Sequence, residues 1–255
     1  MTEAGLTRRE RQRQATMDEI VRTARGQLSE PGGLSLRAIA QEMGITAPAL
    51  YRYVSSLEGL TLNVTTSIYD EIVEVLHEAA DRHAESPEAR IVAAATAYRQ
   101  WSLRHRDEFV LCFVTQITDP SEPEQDACAI AGGRFRQFFA DLFVEIWHRR
   151  PFAVPSEAEF AEIAALMDDP MNPFRDEHDE WVDSEVPASV QWIFLQVWTR
   201  LFGIVALEVF GHVSPPLVES AALFRAVSAD CAGTIGIDAA ALPGFESIVG
   251  DELSR

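Results

Sequence analysis

The sequence predicts an all-α protein: a small N-terminal helix-turn-helix head followed by a larger helical body. Three observations predict it. Apolar residues recur at helical spacing through most of the chain, as in Leu60, Val64, Ile68, Ile72 and Leu76. Helix signals punctuate that pattern: Thr16 with Glu19, Ser55 with Glu58, and breaks at Pro31-Gly32-Gly33, Pro151 to Pro155 and Pro215-Pro216. Finally, Ser35 to Leu60 reads SLRAIAQEMGITAPALYRYVSSLEGL, which has the layout of two short helices joined by a tight turn.

A chain of 255 residues with 47% hydrophobic content fits one large domain or two smaller ones and buries a substantial core. No apolar run approaches the length of a membrane span and no signal-peptide core begins the chain, so a cytoplasmic protein is expected. Cys112, Cys128 and Cys231 are far apart and odd in number, which suits buried thiols in a reducing compartment. The net charge of −19 argues against nucleic acid until its distribution is read. Residues 1–65 hold eight arginines against seven acids, whereas the remainder holds thirteen against 33. An acidic body would be held off a duplex while a locally basic head approaches it. Every cation is an arginine, the mark of a GC-rich coding sequence.

Residues 1–14 end in RRERQRQ without an apolar period and are expected as a flexible basic arm, reaching phosphate or serving as a solvated tail. The DNA-binding domain is expected over 15–62. Thr16 to Leu28 forms its first helix, with Met17, Ile20, Val21, Ala24 and Leu28 on one face. Ser35 caps the second helix, Ala40 lets the helices approach, Gly44 supplies a left-handed turn, and Leu50 anchors the third helix from below. Thr46 caps that third helix and Pro48 sits in its first turn. Ala47, Ala49, Tyr51, Arg52 and Tyr53 are then left facing outward, a small-residue tip with one forked cation and two phenols, suited to a major groove.

IAQEMGITAPALYRYVSSLEGL resembles the DNA-binding half of the TetR (tetracycline-repressor-like) family of bacterial regulators, over roughly Met17 to Leu62. The resemblance implies that Arg52 reads guanine, that Ala47, Pro48 and Ala49 lie close to bases, and that Arg37, Tyr51 and Tyr53 hold phosphates. Thr46 and Ser56 complete the implied DNA-contact set. Members usually carry Ser-Lys-Glu after the recognition helix, where this chain has Ser56, Leu57 and Glu58. With Leu57 either a cationic phosphate contact is gone or the side chain belongs to the core. Farther on, AYRQWSLRHRDEFVLCF and QVWTRLFGIVALEVFGH are similar to ligand-binding halves with a Trp-His-Gly signature. Trp198 and Gly203 match it, and Phe202 stands in place of the histidine.

The body is expected over 63–236. A long fourth helix starts at a Ser55–Glu58 box and links head to body. Pro87 to about Phe113 follows as a helix or helix pair with Ala93, Ala97, Trp101, Phe109 and Phe113 inward. Asp119 to Asp126 is a loop, and Ile130 to His148 is a ring-rich helix carrying Phe135, Phe138, Phe139, Phe143 and Trp147. A short helix runs to Met167. Asp168 to Glu185 holds eight acids with His178, and a mobile surface loop suits it better than a metal site, because no ordered calcium spacing is present. Ser189 to Val213 is apolar nearly all round, and Leu217 to Gly233 is the last helix, with Leu223, Val227 and Cys231 on one face. Residues 237–255 are expected as a loosely packed tail.

Regulatory cavities are lined mostly by apolar and aromatic side chains. Trp101, Phe109, Phe113, Phe135, Phe139, Phe143, Gln196 and Trp198 are therefore the candidate walls for an apolar or aromatic effector. A helix apolar on every side must be covered on every side. The resemblance supplies the cover, a homodimer seam through Trp198, Phe202, Gly203, Leu223 and Val227. The expected function is a DNA-binding repressor, a dimer on a palindromic double-stranded operator released by a small molecule; the alternative is an activator, or a regulator without ligand response. No nucleophile elbow, phosphate loop or paired metal-ligand motif is present, so no enzyme, cofactor or metal is expected.

Overall fold

A computed structural model describes residues 7–30, 33–115, 127–164, 186–237 and 244–255. The described residues contain helices and no strand, which makes the fold all-α. In chain order the helices are α1 (Arg8–Gly26), α2 (Leu36–Glu42), α3 (Ala47–Leu50), α4 (Leu57–Asp81), α5 (Pro87–Arg104), α6 (Arg106–Phe113), α7 (Ala127–Arg149), α8 (Glu157–Ala164), α9 (Ala188–Val209), α10 (Pro215–Glu219), α11 (Ala222–Thr234) and α12 (Phe245–Leu253). The loop expected at Asp119–Asp126, the acidic segment Asp168–Glu185, the Pro31-Gly32 break and residues 1–6 of the arm lie outside the described residues.

Two compact units divide the chain: Met1–Asp70 with Asp107–Ala131, and Glu71–Arg106 with Gly132–Arg255. Against the boundaries expected at 62 and 236, residues 107–115 and 127–131 group with the N-terminal unit and α12 with the C-terminal one.

In the N-terminal unit, α1 begins at Arg8, earlier than the expected start at Thr16. The Thr7 hydroxyl accepts from the Glu10 N–H, and the Glu10 carboxylate accepts from the Thr7 N–H at 2.6 Å. These bonds, the backbone one first, hold the Glu10 carboxyl below its usual range. Residues 8–13 are therefore helical, and the flexible-arm reading does not hold for them. Thr16, expected as a cap, donates to the Gln12 carbonyl inside the helix. The arginines and glutamines of this stretch are strong helix formers with no apolar stripe, so periodicity passes over them. Ile20, Val21, Ala24, Ile39, Ala40, Leu50, Val54, Leu60, Val64 and Ile68 form the core. Arg25 clasps Glu108 with two bonds of 2.7 and 3.0 Å, and the Tyr69 hydroxyl donates to the Cys112 carbonyl at 2.6 Å.

The C-terminal unit is built on α5. Ser86 caps it, accepting from the Ala89 N–H at 3.0 Å, with Pro87 in its first turn. Helices α9 and α12 pack on α5, and α8 and α11 pack on α9. Three expectations are corrected here. Leu217–Gly233 is two helices, α10 and α11, because Ala221 takes a left-handed backbone at φ 52° and breaks the run. Residues 245–253 form α12 in place of a loose tail. Its buried Glu252 accepts two bonds from Arg82, at 2.6 and 3.0 Å, and lies 3.3 Å from His83 Nε2. Third, α9 is long and apolar enough to cross a membrane by length and composition, contrary to the reading that no run is. It nonetheless carries a buried Glu208 in an ion pair, and its buried face packs within the unit.

Candidate DNA-reading motif and effector cavity

The reading motif is assembled by local rules. Ser35 caps α2, accepting from the Ala38 N–H at 3.4 Å. Gly44 then turns the chain at φ +67°, and the Ile45 N–H returns to the Ala40 carbonyl at 2.9 Å. Thr46 caps α3, accepting from the Ala49 N–H at 3.3 Å. Leu50 is buried beneath with Ile39 and Ala40.

Helix α3 itself spans only Ala47–Leu50. Tyr51, Arg52 and Tyr53, expected on the helix, occupy the turn that follows it, which stays tight through Arg52 N–H to Ala49 O and Tyr53 N–H to Leu50 O. Arg37, Thr46, Pro48, Tyr51, Arg52 and Ser56 are exposed, while Ala47, Ala49 and Tyr53 are half-buried. Ser56, not Ser55, caps α4, accepting from the Gly59 N–H at 2.9 Å. Leu57 is 43% exposed, so it is not a core residue of this unit.

The C-terminal unit holds an apolar cavity of about 30 Å³ among α5, α7, α9 and α11. Phe139, Phe143 and Trp198 line it. Around Trp198 the rings of Tyr98, Phe135, Phe139 and Phe202 lie at centroid distances of 6.4, 5.5, 5.8 and 6.1 Å. Phe135 supports this cluster without lining the cavity.

The other expected walls lie elsewhere. The Trp101 indole donates to Glu71 Oε1 at 3.0 Å and stacks on His105. Phe109 and Phe113 pack on each other in the N-terminal unit, Phe113 edge-on to Tyr69. Gln196 is half-buried on α9 and outside the cavity lining.

A profile described as the tetracyclin repressor-like C-terminal domain matches residues 91–230, more than half of the chain. The chain belongs to the TetR family. It is a TetR-like helix-turn-helix transcriptional regulator, and the family is one of regulators, not of enzymes. The chain is 28% identical over 199 residues to the HTH-type transcriptional regulators Mb1846 of Mycobacterium bovis and Rv1816 of Mycobacterium tuberculosis, covering 76% of this chain and 80% of each relative. Among solved structures, a protein described as regulatory, SCO4313, superposes with a TM-score of 0.60 at 24% identity, over 98% of this chain and all of the other. A Rhodococcus sp. RHA1 protein of unknown function superposes with a TM-score of 0.54 at 20% identity, over 86% and 93% of the two chains. Both likenesses show the fold.

Within this TetR-family body, the residues expected at a dimer seam separate into two groups. Trp198 and Phe202 turn into the protomer and line the cavity. Gly203, Leu223 and Val227 do not; a Cβ on Gly203 would meet nothing within 4 Å, and Leu223 is 40% exposed. Leu207, which the sequence reading left out, is 47% exposed on the side of α9 that carries Gly203. Tyr98, Phe194 and Phe224 were also missed as cavity walls. Their ring chemistry was visible in the sequence, but which helices converge was not. Arg13 was missed in the head: its guanidinium lies 5.7 Å above the Tyr53 ring. The TRRE capping box at Thr7 was the available signal.

Proposed function

We propose that this regulator is a repressor in the cytoplasm that binds a near-palindromic operator as a homodimer and is released by an apolar or aromatic small molecule. The observation that carries the reading is the exposed Tyr51-Arg52 pair, placed just past a capped α3 in a helix-turn-helix. Arg52 is the long forked donor there, and bidentate recognition of guanine O6 and N7 is what such a side chain supplies in a major groove. Pro48 and the small Ala47 and Ala49 keep backbone close to base edges, and Arg37, Thr46, Tyr51, Tyr53 and Ser56 hold register on the phosphates. Arg8, Arg9, Arg11 and Arg13 extend the same basic surface on an ordered helix.

The homodimer reading draws on the open face of α9 and α11. Gly203, Leu207, Leu223 and Val227 put small and apolar groups on two adjacent helices, and such a surface is stable when a second copy covers it. Two reading heads related by a two-fold would then meet successive major grooves, about 34–36 Å apart. The aromatic cavity supports the effector reading, and α4, unbroken from its Ser56 cap to Asp81, is the element through which occupancy would act on the heads. A gel shift with the DNA upstream of the protein's own gene tests the operator, and sedimentation of Gly203→Arg tests the seam. The expected result is a shifted complex for the parent protein, and a monomeric variant with operator affinity reduced at least tenfold. A parent protein that shifts no upstream fragment, or a variant that remains dimeric, removes the corresponding half of the reading.

A further inference from the structure

A second cavity, of about 40 Å³, adjoins the aromatic one. Ile91, Ala95, Val197 and Leu201 line both, so these side chains form the partition between them. The two walls differ in chemistry. The first cavity is ringed by aromatic side chains. The second is aliphatic except for Thr96, Ser228 and Cys231.

Of these three polar groups, two are already satisfied or inert. The Thr96 hydroxyl donates to the Val92 carbonyl at 2.9 Å. The Cys231 sulfur lies 3.9 Å from the Val197 carbonyl, and burial raises its pKa, which keeps it a neutral thiol. Ser228 Oγ is buried with no hydrogen-bond partner, a costly state for a hydroxyl. Neither lining contains an Asp, Glu, Arg or His side chain. Arg99, 5.2 Å from the Phe224 ring that forms part of the first wall, is committed to Glu208 and to the Val218 carbonyl.

Resting on the effector reading above, we propose that one extended, uncharged ligand spans both cavities. Its ring lies in the aromatic cavity, and a terminal hydroxyl or carbonyl bonds Ser228 Oγ in the other. A charged end is disfavoured: no charged side chain lines either cavity, Arg200 beside Cys231 is exposed and bonds Thr234 at 2.9 Å, and burying an unpaired ion costs far more than the apolar contact returns. Cavities of 30 and 40 Å³ each hold only a few waters, so a ring enters when the half-buried Ile91 and Leu201 side chains swing out of the partition.

The test is equilibrium dialysis of the full-length protein against 4-phenylbutanol, its hydroxyl-free counterpart butylbenzene, and 4-phenylbutyrate at pH 7. Ser228→Ala should weaken the alcohol about fivefold and leave butylbenzene within twofold. Leu201→Ala, which opens the partition, should tighten both neutral compounds. The carboxylate should bind at least tenfold more weakly than the alcohol. If Ser228→Ala changes alcohol and hydrocarbon alike, or the carboxylate matches the alcohol, the Ser228 assignment is overturned while an apolar effector site stands. If none of the three compounds binds either the parent or Leu201→Ala, the effector reading itself falls, and this inference falls with it.

Discussion

The two units of the chain differ in the weight they give to local caps and to long-range ties. In the N-terminal unit, side chains cap the first four helices: Thr7 for α1, Ser35 for α2, Thr46 for α3 and Ser56 for α4. In the C-terminal unit, Ser86 caps α5 and Ser156 caps α8, but α9, α10, α11 and α12 have no side-chain cap bond. Their positions depend on ties between residues far apart in sequence. Arg99 reaches Glu208 across 109 residues, and Arg82 reaches Glu252 across 170. A surface that must present fixed side chains to a rigid partner is served by short-range geometry. A body proposed to open around a small molecule is served by packing and a few long-range locks.

The sharpest way to break this contrast is to remove a lock from the body. Arg99 and Glu208 are both buried, joined by bonds of 2.6 and 3.2 Å, and Arg99 also donates to the Val218 carbonyl at 2.7 Å. Arg99→Ala leaves Glu208 as an unpaired buried charge, which costs about 3–5 kcal/mol. Urea unfolding followed by circular dichroism should show that loss. Arg99→Met with Glu208→Leu, which removes both charges and keeps volume, should recover most of it. A double variant no more stable than the single would mean that the pair contributes through packing and not through charge.

A smaller effect, and a different readout, is expected in the head. Arg52 is exposed and outside the core, so Arg52→Ala should leave the unfolding midpoint unchanged. Operator binding should weaken by about 1–3 kcal/mol, with relaxed preference at one base step in a binding-site selection. An unchanged preference would move the reading role to another side chain.

Gly44→Ala sharpens the claim that local geometry builds the head. A Cβ at Gly44 meets nothing within 4 Å, so the cost is that of the backbone at φ +67° alone. That is about 1–2 kcal/mol, and Gly44→Asn should lose less because asparagine tolerates this region. Thermal melts of the two variants separate backbone strain from packing; equal losses would point to packing.

How much was legible in the sequence follows the same division. The Gly44 turn and the Ser35 and Thr46 caps were readable because each acts within about four residues, and the Leu50 anchor because that short turn brings it back onto Ile39 and Ala40. The first turns of α1 were passed over for lack of an apolar stripe, although TRRE carried a cap signal. In the body, the spacing put Leu223, Val227 and Cys231 on one face of the last helix without telling which partner covers it. The buried residues are Phe224, Cys231 and Ala232, while Leu223 stays 40% exposed. Periodicity shows that a helix has apolar stripes, not which of them its own chain covers. Phe109 and Phe113 pack in the N-terminal unit, away from the cavity, for a related reason: ring chemistry predicts burial, and only the tertiary arrangement decides where. Helix α12 was invisible because the partners of Glu252 lie at the end of α4.

The smallest expected effect tests whether the start of α4 faces DNA. Family members usually carry a lysine where this chain has Leu57, and Leu57 is 43% exposed at the first position after the Ser56 cap. Its exposure means that Leu57→Lys removes little packing. The main intrinsic cost is a positive charge near a helix N-terminus, about 0.3–1 kcal/mol at low ionic strength. A phosphate at that position would reverse the sign, since the helix dipole, the free N–H groups and the new ammonium then act on the same anion. Operator affinity should therefore rise, and the slope of log affinity against log salt should steepen by about 0.9 for the one added contact. The measurement is a salt titration of both proteins on one operator, alongside a melt that records any loss of head stability. A steeper slope with a small stability loss places the start of α4 on the phosphate backbone. Equal slopes would mean that this chain meets its operator through Arg52, Tyr51 and the α1 arginines, and that an exposed leucine at position 57 keeps the start of α4 away from the duplex.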